Sequence, residues 1–91
     1  MKALPEGVSN YAGTPEFTEK SIPENLLKSH RTKAGIWARI VVLEGRLRYR
    51  ILEPEIRAFE LSPGNPGLVE PEVAHEVEPM GQVRFRVEFY R

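Results

Sequence analysis

The sequence predicts a single all-β domain. Short segments rich in β-branched and aromatic residues recur from residue 36 to residue 90, and many of the eight prolines and seven glycines stand between them. The last segment, residues 83–90, alternates apolar and charged residues along its whole length. That alternation is the period of a strand with one buried face. Several short strands without a long amphipathic helix are typical of a β-sandwich or a β-barrel.

Length and charge restrict the classes of function. The 91 residues suffice for one domain with one modest core. Thirteen basic and thirteen acidic residues cancel, so no long-range field attracts the chain to nucleic acid or to anionic lipid. We expect neither as a partner. The chain has no cysteine, which excludes disulfides and cysteine nucleophiles. The N-terminal residues lack an apolar stretch of signal-peptide length, and we expect a cytoplasmic protein.

The predicted domain spans residues 1–91 and begins with an irregular region. Residues 1–20 are polar and interrupted by proline and glycine, which predicts an extended arm with one edge strand at residues 16–18. Residues 23–28 predict one helical turn, because proline suits the first turn of a helix. The barrel strands are expected within residues 36–90.

Residues 36–52 predict a β-hairpin with Glu44 and Gly45 as its two-residue turn. Such a turn pairs Leu43 with Arg46, and the pleat then assigns every side chain to a face. One face carries Ile40, Val42, Leu47, Tyr49 and Ile51. The opposite face carries Arg39, Arg46, Arg48 and Arg50 with Trp37, Val41 and Leu43. Further strands are predicted at residues 59–61, 68–70, 75–78 and 83–90.

Two segments resemble the motifs of the cupin superfamily. Residues 41–45, Val-Val-Leu-Glu-Gly, resemble the centre of the first motif, and residues 63–75 resemble the second, in which a proline four residues before a histidine directs that histidine into the barrel. Longer runs at residues 30–37, 43–50 and 70–79 are similar to the TehB/YeaR-like domain family. This family occurs as small separate proteins and as the N-terminal part of some tellurite-resistance methyltransferases. The resemblance implies a cupin-like double-stranded β-helix, or jelly-roll, barrel.

The same resemblance implies a reduced metal site. The first motif lacks its paired histidines, since His30 stands alone, and Ala38 lies near the position of the usual glutamate. A site of His30, His75 and one carboxylate is still possible, because three protein ligands and a water form an open metal site. Glu70 is the first carboxylate candidate, ahead of Glu76 and Glu78. These ligands suit zinc or ferrous iron. Two unconnected histidines are the alternative interpretation.

Other residues could line a ligand pocket or bind an anion. Lys33, Trp37 and Tyr49 are the pocket candidates, although large aromatic residues on strands more often belong to a core or an interface. The four arginines at 39, 46, 48 and 50 suggest either an oxyanion site or a solvated face paired with glutamates. No catalytic residue is identified, since no nucleophile motif or phosphate-binding loop is present.

Two functional hypotheses follow from the sequence. The first is a small cupin-like protein that binds a divalent metal or a small ligand in its barrel. The second is a non-catalytic binding or sensing module, in a stress or oxyanion response implied by the family. We also expect a homodimer, because Trp37, Val41 and Leu43 form an apolar patch on the outer face.

Overall fold

The computed structural model describes residues 3–91 and contains six strands and one helical turn. The elements are β1 (Asn10–Gly13), β2 (Phe17–Thr18), α1 (Glu24–Leu27), β3 (Trp37–Ile51), β4 (Arg57–Leu61), β5 (Gly67–Val69) and β6 (His75–Tyr90). The all-β prediction is confirmed, as is the helical turn. The N-terminal region has two strands, β1 and β2, where one edge strand was predicted. No helix within residues 3–91 has the length and apolar character that crossing a bilayer requires.

The strands form one antiparallel sheet built on two long members. β3 and β6 have 15 and 16 residues and pair from Trp37 opposite Tyr90 to Ile51 opposite His75. β1 and β2 pair with the other edge of β6, while β4 and β5 pair with the other edge of β3. The β3–β6 pair is therefore the spine of the sheet.

The closed jelly-roll barrel is not observed. The strand order β1-β6-β3-β4 ends in two edges, and no pairing within residues 3–91 connects β1 or β2 to β4. The reason is the shortness of the outer strands. β4 and β5 have five and three residues, and each covers only part of the β3 edge. The sheet of the described chain is open.

The predicted turn at Glu44 and Gly45 is wrong. β3 continues through both residues, and its two halves pair with β6 rather than with each other. The register with β6 shifts between Val42 and Glu44 and again between Gly45 and Leu47, which marks a bulge. The separate strands predicted at residues 75–78 and 83–90 are likewise one strand, β6.

The predicted faces are nevertheless correct. Ile40 and Val42 are buried before the bulge, and Leu47, Tyr49 and Ile51 are buried after it. Because side chains alternate with period two, a change from even to odd buried positions needs one residue of slip. The bulge supplies that slip, just as a two-residue turn would have done.

The sheet folds over so that its two halves face each other. Gly67 pairs with Ile40 in the first half of β3, yet a Cβ at Gly67 would lie 3.1 Å from Cδ2 of Tyr49, in the second half of β3, and 2.8 Å from Cδ1 of Leu61, on the β4 strand paired with that half. The Tyr49 hydroxyl donates to the carbonyl of Leu68 on β5 at 2.8 Å. The core lies between the halves and consists of Ala38, Ile40, Val42, Leu47, Tyr49, Ile51, Leu61, Val69, Val77, Val83, Phe85 and Val87.

The outer face carries pairs of arginine and glutamate. Arg39 lies 2.8 Å from Glu88, Arg50 lies 2.9 Å from Glu76, and Arg46 and Arg48 have carboxylates at 3.6 and 3.2 Å. Each of these exposed or half-buried pairs stabilises the fold by no more than about 1 kcal/mol. Because all four arginines have carboxylate partners, the solvated-face interpretation is favoured over an oxyanion site.

Gly45 is the residue on which the bulge depends, and replacing it with alanine should destabilise the fold strongly. Its φ is +79°, and an added Cβ would lie 2.0 Å from the Gln82 carbonyl oxygen. Gly81→Ala is the matched control, since Gly81 has a φ of +83° and, apart from its chain neighbours, no atom of residues 3–91 lies within 4 Å of the added Cβ. We expect losses of about 1–2 kcal/mol for Gly81→Ala and about 2–5 kcal/mol for Gly45→Ala in urea unfolding. Equal losses in the two variants would contradict the proposed backbone conflict.

Candidate functional site

His30 and His75 lie directly opposite each other. The His30 amide donates to the His75 carbonyl and the His75 amide donates to the His30 carbonyl, both at 2.9 Å. Residues that exchange both hydrogen bonds in an antiparallel bridge project to the same side of the sheet. The two imidazole rings are 5.5 Å apart between centroids and lie at 77° to each other. The structure therefore brings these two predicted ligands together.

His75 is held in one orientation at the start of β6. Its side chain is on the inner face, with only 4% of the residue exposed, and Nδ1 lies 3.1 Å from the Val73 carbonyl oxygen. This contact places the proton on Nδ1 and leaves a lone pair on Nε2. Burial lowers the pKa of His75, and the nearby His30 lowers it further, although the hydrogen bond to Val73 opposes both effects. The neutral imidazole is thus the favoured form.

A small cavity lies beside the two rings, between the halves of the sheet. Its volume is about 50 Å³, enough for an ion or one or two waters but far below the size of a metabolite site. Its polar lining residues are His30, His75, Thr14 and Thr32. The remaining lining is apolar and comes from Leu26, Ala38, Ile40, Val69, Val77, Phe85, Val87 and Phe89.

Glu53 connects the segments that carry the two histidines. Its carboxylate accepts hydrogen bonds from both terminal nitrogens of Arg31, one at 3.0 Å, and from the backbone amide of Ala74 at 2.9 Å. Arg31 follows His30 in the chain, and Ala74 precedes His75. One carboxylate after β3 therefore ties both histidine segments to the sheet. No sequence pattern distinguishes Glu53 from the other glutamates, so its place in the site could not be predicted from the sequence.

Glu70 follows β5 and contacts the same region through its backbone. Its carbonyl accepts a hydrogen bond from the Thr32 hydroxyl at 3.4 Å, and its charge adds to the burial that raises the pKa of Tyr49. No three histidine or glutamate side chains within residues 3–91 are arranged to hold a metal ion. The role of Glu70 as a third ligand stays a prediction.

The three residues predicted to line a ligand pocket lie in different places. Lys33 lines a surface hollow on the outer side of His30. Trp37 is half-buried at the start of β3, opposite Tyr90. Tyr49 is buried in the core, and its ring packs 6.0 Å from the His75 ring. Only Lys33 therefore shares a concave surface with a predicted metal ligand.

Comparison with known proteins agrees with this fold and its sequence motifs. The profile of the TehB-like domain matches residues 13–87. The chain belongs to the TehB-like domain family. A curated relative is the probable S-adenosyl-L-methionine-dependent methyltransferase TehB of Haemophilus influenzae, which is 30% identical over 74 residues. That match covers 77% of this TehB-like chain and 26% of the relative, so this chain corresponds to about a quarter of that protein.

Solved structures share the fold of this TehB-like domain. A protein of E. coli (strain K12) superposes with a TM-score of 0.90 at 21% identity, over 100% of this chain and 97% of that one. TehB from Haemophilus influenzae superposes with a TM-score of 0.86 at 27% identity, over 93% of this chain and 32% of that one. Fe(II) HppE gives a TM-score of 0.59 at 21% identity over 75% of this chain and 36% of that one.

Removing the Glu53 carboxylate should loosen both histidine segments of this TehB-like domain. Glu53→Ala leaves the Ala74 amide without its acceptor and breaks an ion pair, so we expect a loss of about 1–2 kcal/mol in the free energy of unfolding. Faster hydrogen exchange at the amides of Ala74 and His75 should accompany it. Glu55→Ala, an exposed change in the same loop, should alter stability by less than about 0.5 kcal/mol. Unchanged exchange in Glu53→Ala would rule out the connecting role.

The lowered pKa of His75 predicts a loss of stability in mild acid. An unfolded histidine titrates at about 6.5, so below that pH the unfolded chain binds a proton that folded His75 does not. The free energy of unfolding should therefore fall as the pH drops from 6.5 to the folded pKa, by at most about 1.4 kcal/mol per unit. Urea unfolding at several pH values should show a shallower dependence in His75→Gln. The same dependence in both proteins would contradict this assignment.

Proposed function

We propose that this TehB-like domain binds a divalent metal ion, zinc or ferrous iron, through His30 and His75. The observation that carries the proposal is the bridge that sets the two imidazoles side by side, with ring centroids 5.5 Å apart. Two imidazoles on one tetrahedral ion, with metal–nitrogen bonds of about 2.0–2.1 Å, have their ring centres about 5 Å apart. The observed spacing is close to that value.

The surroundings of His75 also suit a metal ligand. Its Nδ1 lies against the Val73 carbonyl, and a backbone acceptor of this kind typically orients a metal-binding histidine and fixes its tautomer. Nε2 is the atom left to bind an ion. The adjacent cavity of about 50 Å³ has room for an ion and its water, and it is too small for an organic ligand.

Two histidines leave further ligand positions to be filled. Glu70 is the carboxylate that we propose as the third ligand, since it lies at the end of β5 beside Thr32, which lines the cavity. Water or a small ligand would take the remaining positions. An ion held in this way would act as a Lewis acid toward an oxygen atom of that ligand.

The cupin-like double-stranded β-helix barrel itself stays a proposal. In the cupin motif the proline four residues before the histidine directs the imidazole inward, and here Pro71 precedes the inward-facing, buried His75 by four residues. The sheet also folds over to enclose a core. In this proposal the open sheet is a reduced form of the double-stranded barrel.

A non-catalytic binding or sensing module is the alternative function. The chain corresponds to about a quarter of the TehB relative, so we do not assign the methyltransferase activity in that protein's name to this chain. A part in an oxyanion response, in the cytoplasm, is proposed from the family alone. The homodimer also stays a prediction. Its basis is the outer face, where Trp37, Val41 and Leu43 remain partly exposed.

Zinc titration into chelator-treated protein tests the metal proposal. Isothermal titration should show binding to the wild type, and affinities at least about tenfold weaker for His30→Ala and His75→Ala. Thermal unfolding of the same samples checks that the variants are folded. Wild-type affinity in both histidine variants would refute the site.

The same titration tests the third ligand. Glu70→Gln keeps the shape of the side chain and removes its charge, so a ligand role predicts clearly weaker zinc binding. Glu76→Gln is the matched control, because Glu76 faces outward and pairs with Arg50. Equal affinities in the two variants would remove Glu70 from the site.

A further inference from the structure

A surface hollow of about 330 Å³ lies on the outer side of His30. Its lining comes from Tyr11, His30, Arg31, Thr32, Lys33, Ile36 and Phe89. His30, Thr32 and Phe89 line the interior cavity as well. These shared residues stand between the surface hollow and the interior site, and the hollow has the volume of a small-molecule site where the cavity does not.

The charge of the hollow is positive. Lys33 is exposed, and no carboxylate within residues 3–91 forms an ion pair with it. Arg31 is paired with Glu53, and none of the described residues that line the hollow is acidic. This differs from the outer face of the sheet, where arginines and glutamates are paired, in a chain whose formal net charge is zero. An anionic group would therefore find an unneutralised ammonium here.

The walls of the hollow are largely apolar. Tyr11 is 41% exposed although it is a large aromatic residue, and the Arg91 guanidinium lies 4.0 Å from the centre of its ring. Ile36 and Phe89 are half-buried. A ring or short chain could cover these surfaces while a charged end meets Lys33.

We propose that the hollow binds a small organic carboxylate, with its apolar body against Tyr11, Ile36 and Phe89 and its carboxylate at Lys33. The ligand would lie beside His30, and through His30 it would adjoin the proposed metal site. Only the link between this ligand and the metal site rests on the proposed function. The binding itself requires the hollow and Lys33, and no ion.

Benzoate titration into chelator-treated, ¹⁵N-labelled protein tests the inference. Benzoate should shift amide signals around Tyr11, His30, Lys33 and Phe89, and benzamide, which has the same ring without the charge, should bind more weakly. Lys33→Gln should weaken benzoate binding by a factor of about two to five, the equivalent of one exposed ion pair. Lys20→Gln, at another exposed lysine, should leave it unchanged.

Four results would overturn the proposal. They are the absence of benzoate binding, benzamide binding as tightly as benzoate, wild-type affinity in Lys33→Gln, and shifts centred outside the hollow. Because the measurement is made without metal, failure of benzoate binding leaves the zinc titration intact as a test of His30 and His75. Conversely, absence of zinc binding with benzoate bound in the hollow would refute the metal site alone.

Discussion

The pairing of β3 with β6 along almost their whole length is the constraint on which the rest of the structure depends. Two strands of this length without a bend would form a long twisted ribbon with one apolar face exposed to water. The bulge at Gly45 bends the pair so that the apolar faces of its two halves bury each other. The bend requires glycine at position 45 for two reasons. The backbone there has a positive φ, and there is no room for a side chain between Gly45 and the Gln82 carbonyl. The short outer strands then only need to cover the edges.

The histidine pair is a consequence of the same geometry. β6 begins at His75, directly opposite the last residue of β3, so its first side chain on the inner face enters the core. The segment containing His30 bridges the free edge of β6 at that point, and the antiparallel bridge turns its side chain to the same face. Glu53, which follows β3 closely, connects both histidine segments through Arg31 and Ala74. One end of the spine thus positions the whole candidate site.

Charge is distributed unequally between the two sides of the molecule. The outer face of the sheet contains many charged residues, but cross-strand pairs such as Arg39 with Glu88 neutralise them and leave little field for a ligand. In the region around His30, Lys33 forms no ion pair with a carboxylate within residues 3–91. One unpaired positive charge can therefore favour the binding of an anion at this place, although the chain has no net charge. The number of arginines in the sequence is a poor guide to where an anion would bind.

The sequence by itself determined the all-β class, the family and the inward or outward direction of most strand side chains, because these depend on local alternation and on contiguous motifs. It also indicated that His75 faces inward. Only the tertiary structure decided which segments pair. A two-residue turn and a one-residue bulge change the buried positions in the same way, so the pattern around Gly45 could not distinguish a hairpin from a continuous strand. The same holds for the meeting of His30 with His75 and for the connection made by Glu53, since such contacts join residues far apart in the chain and leave no local periodicity.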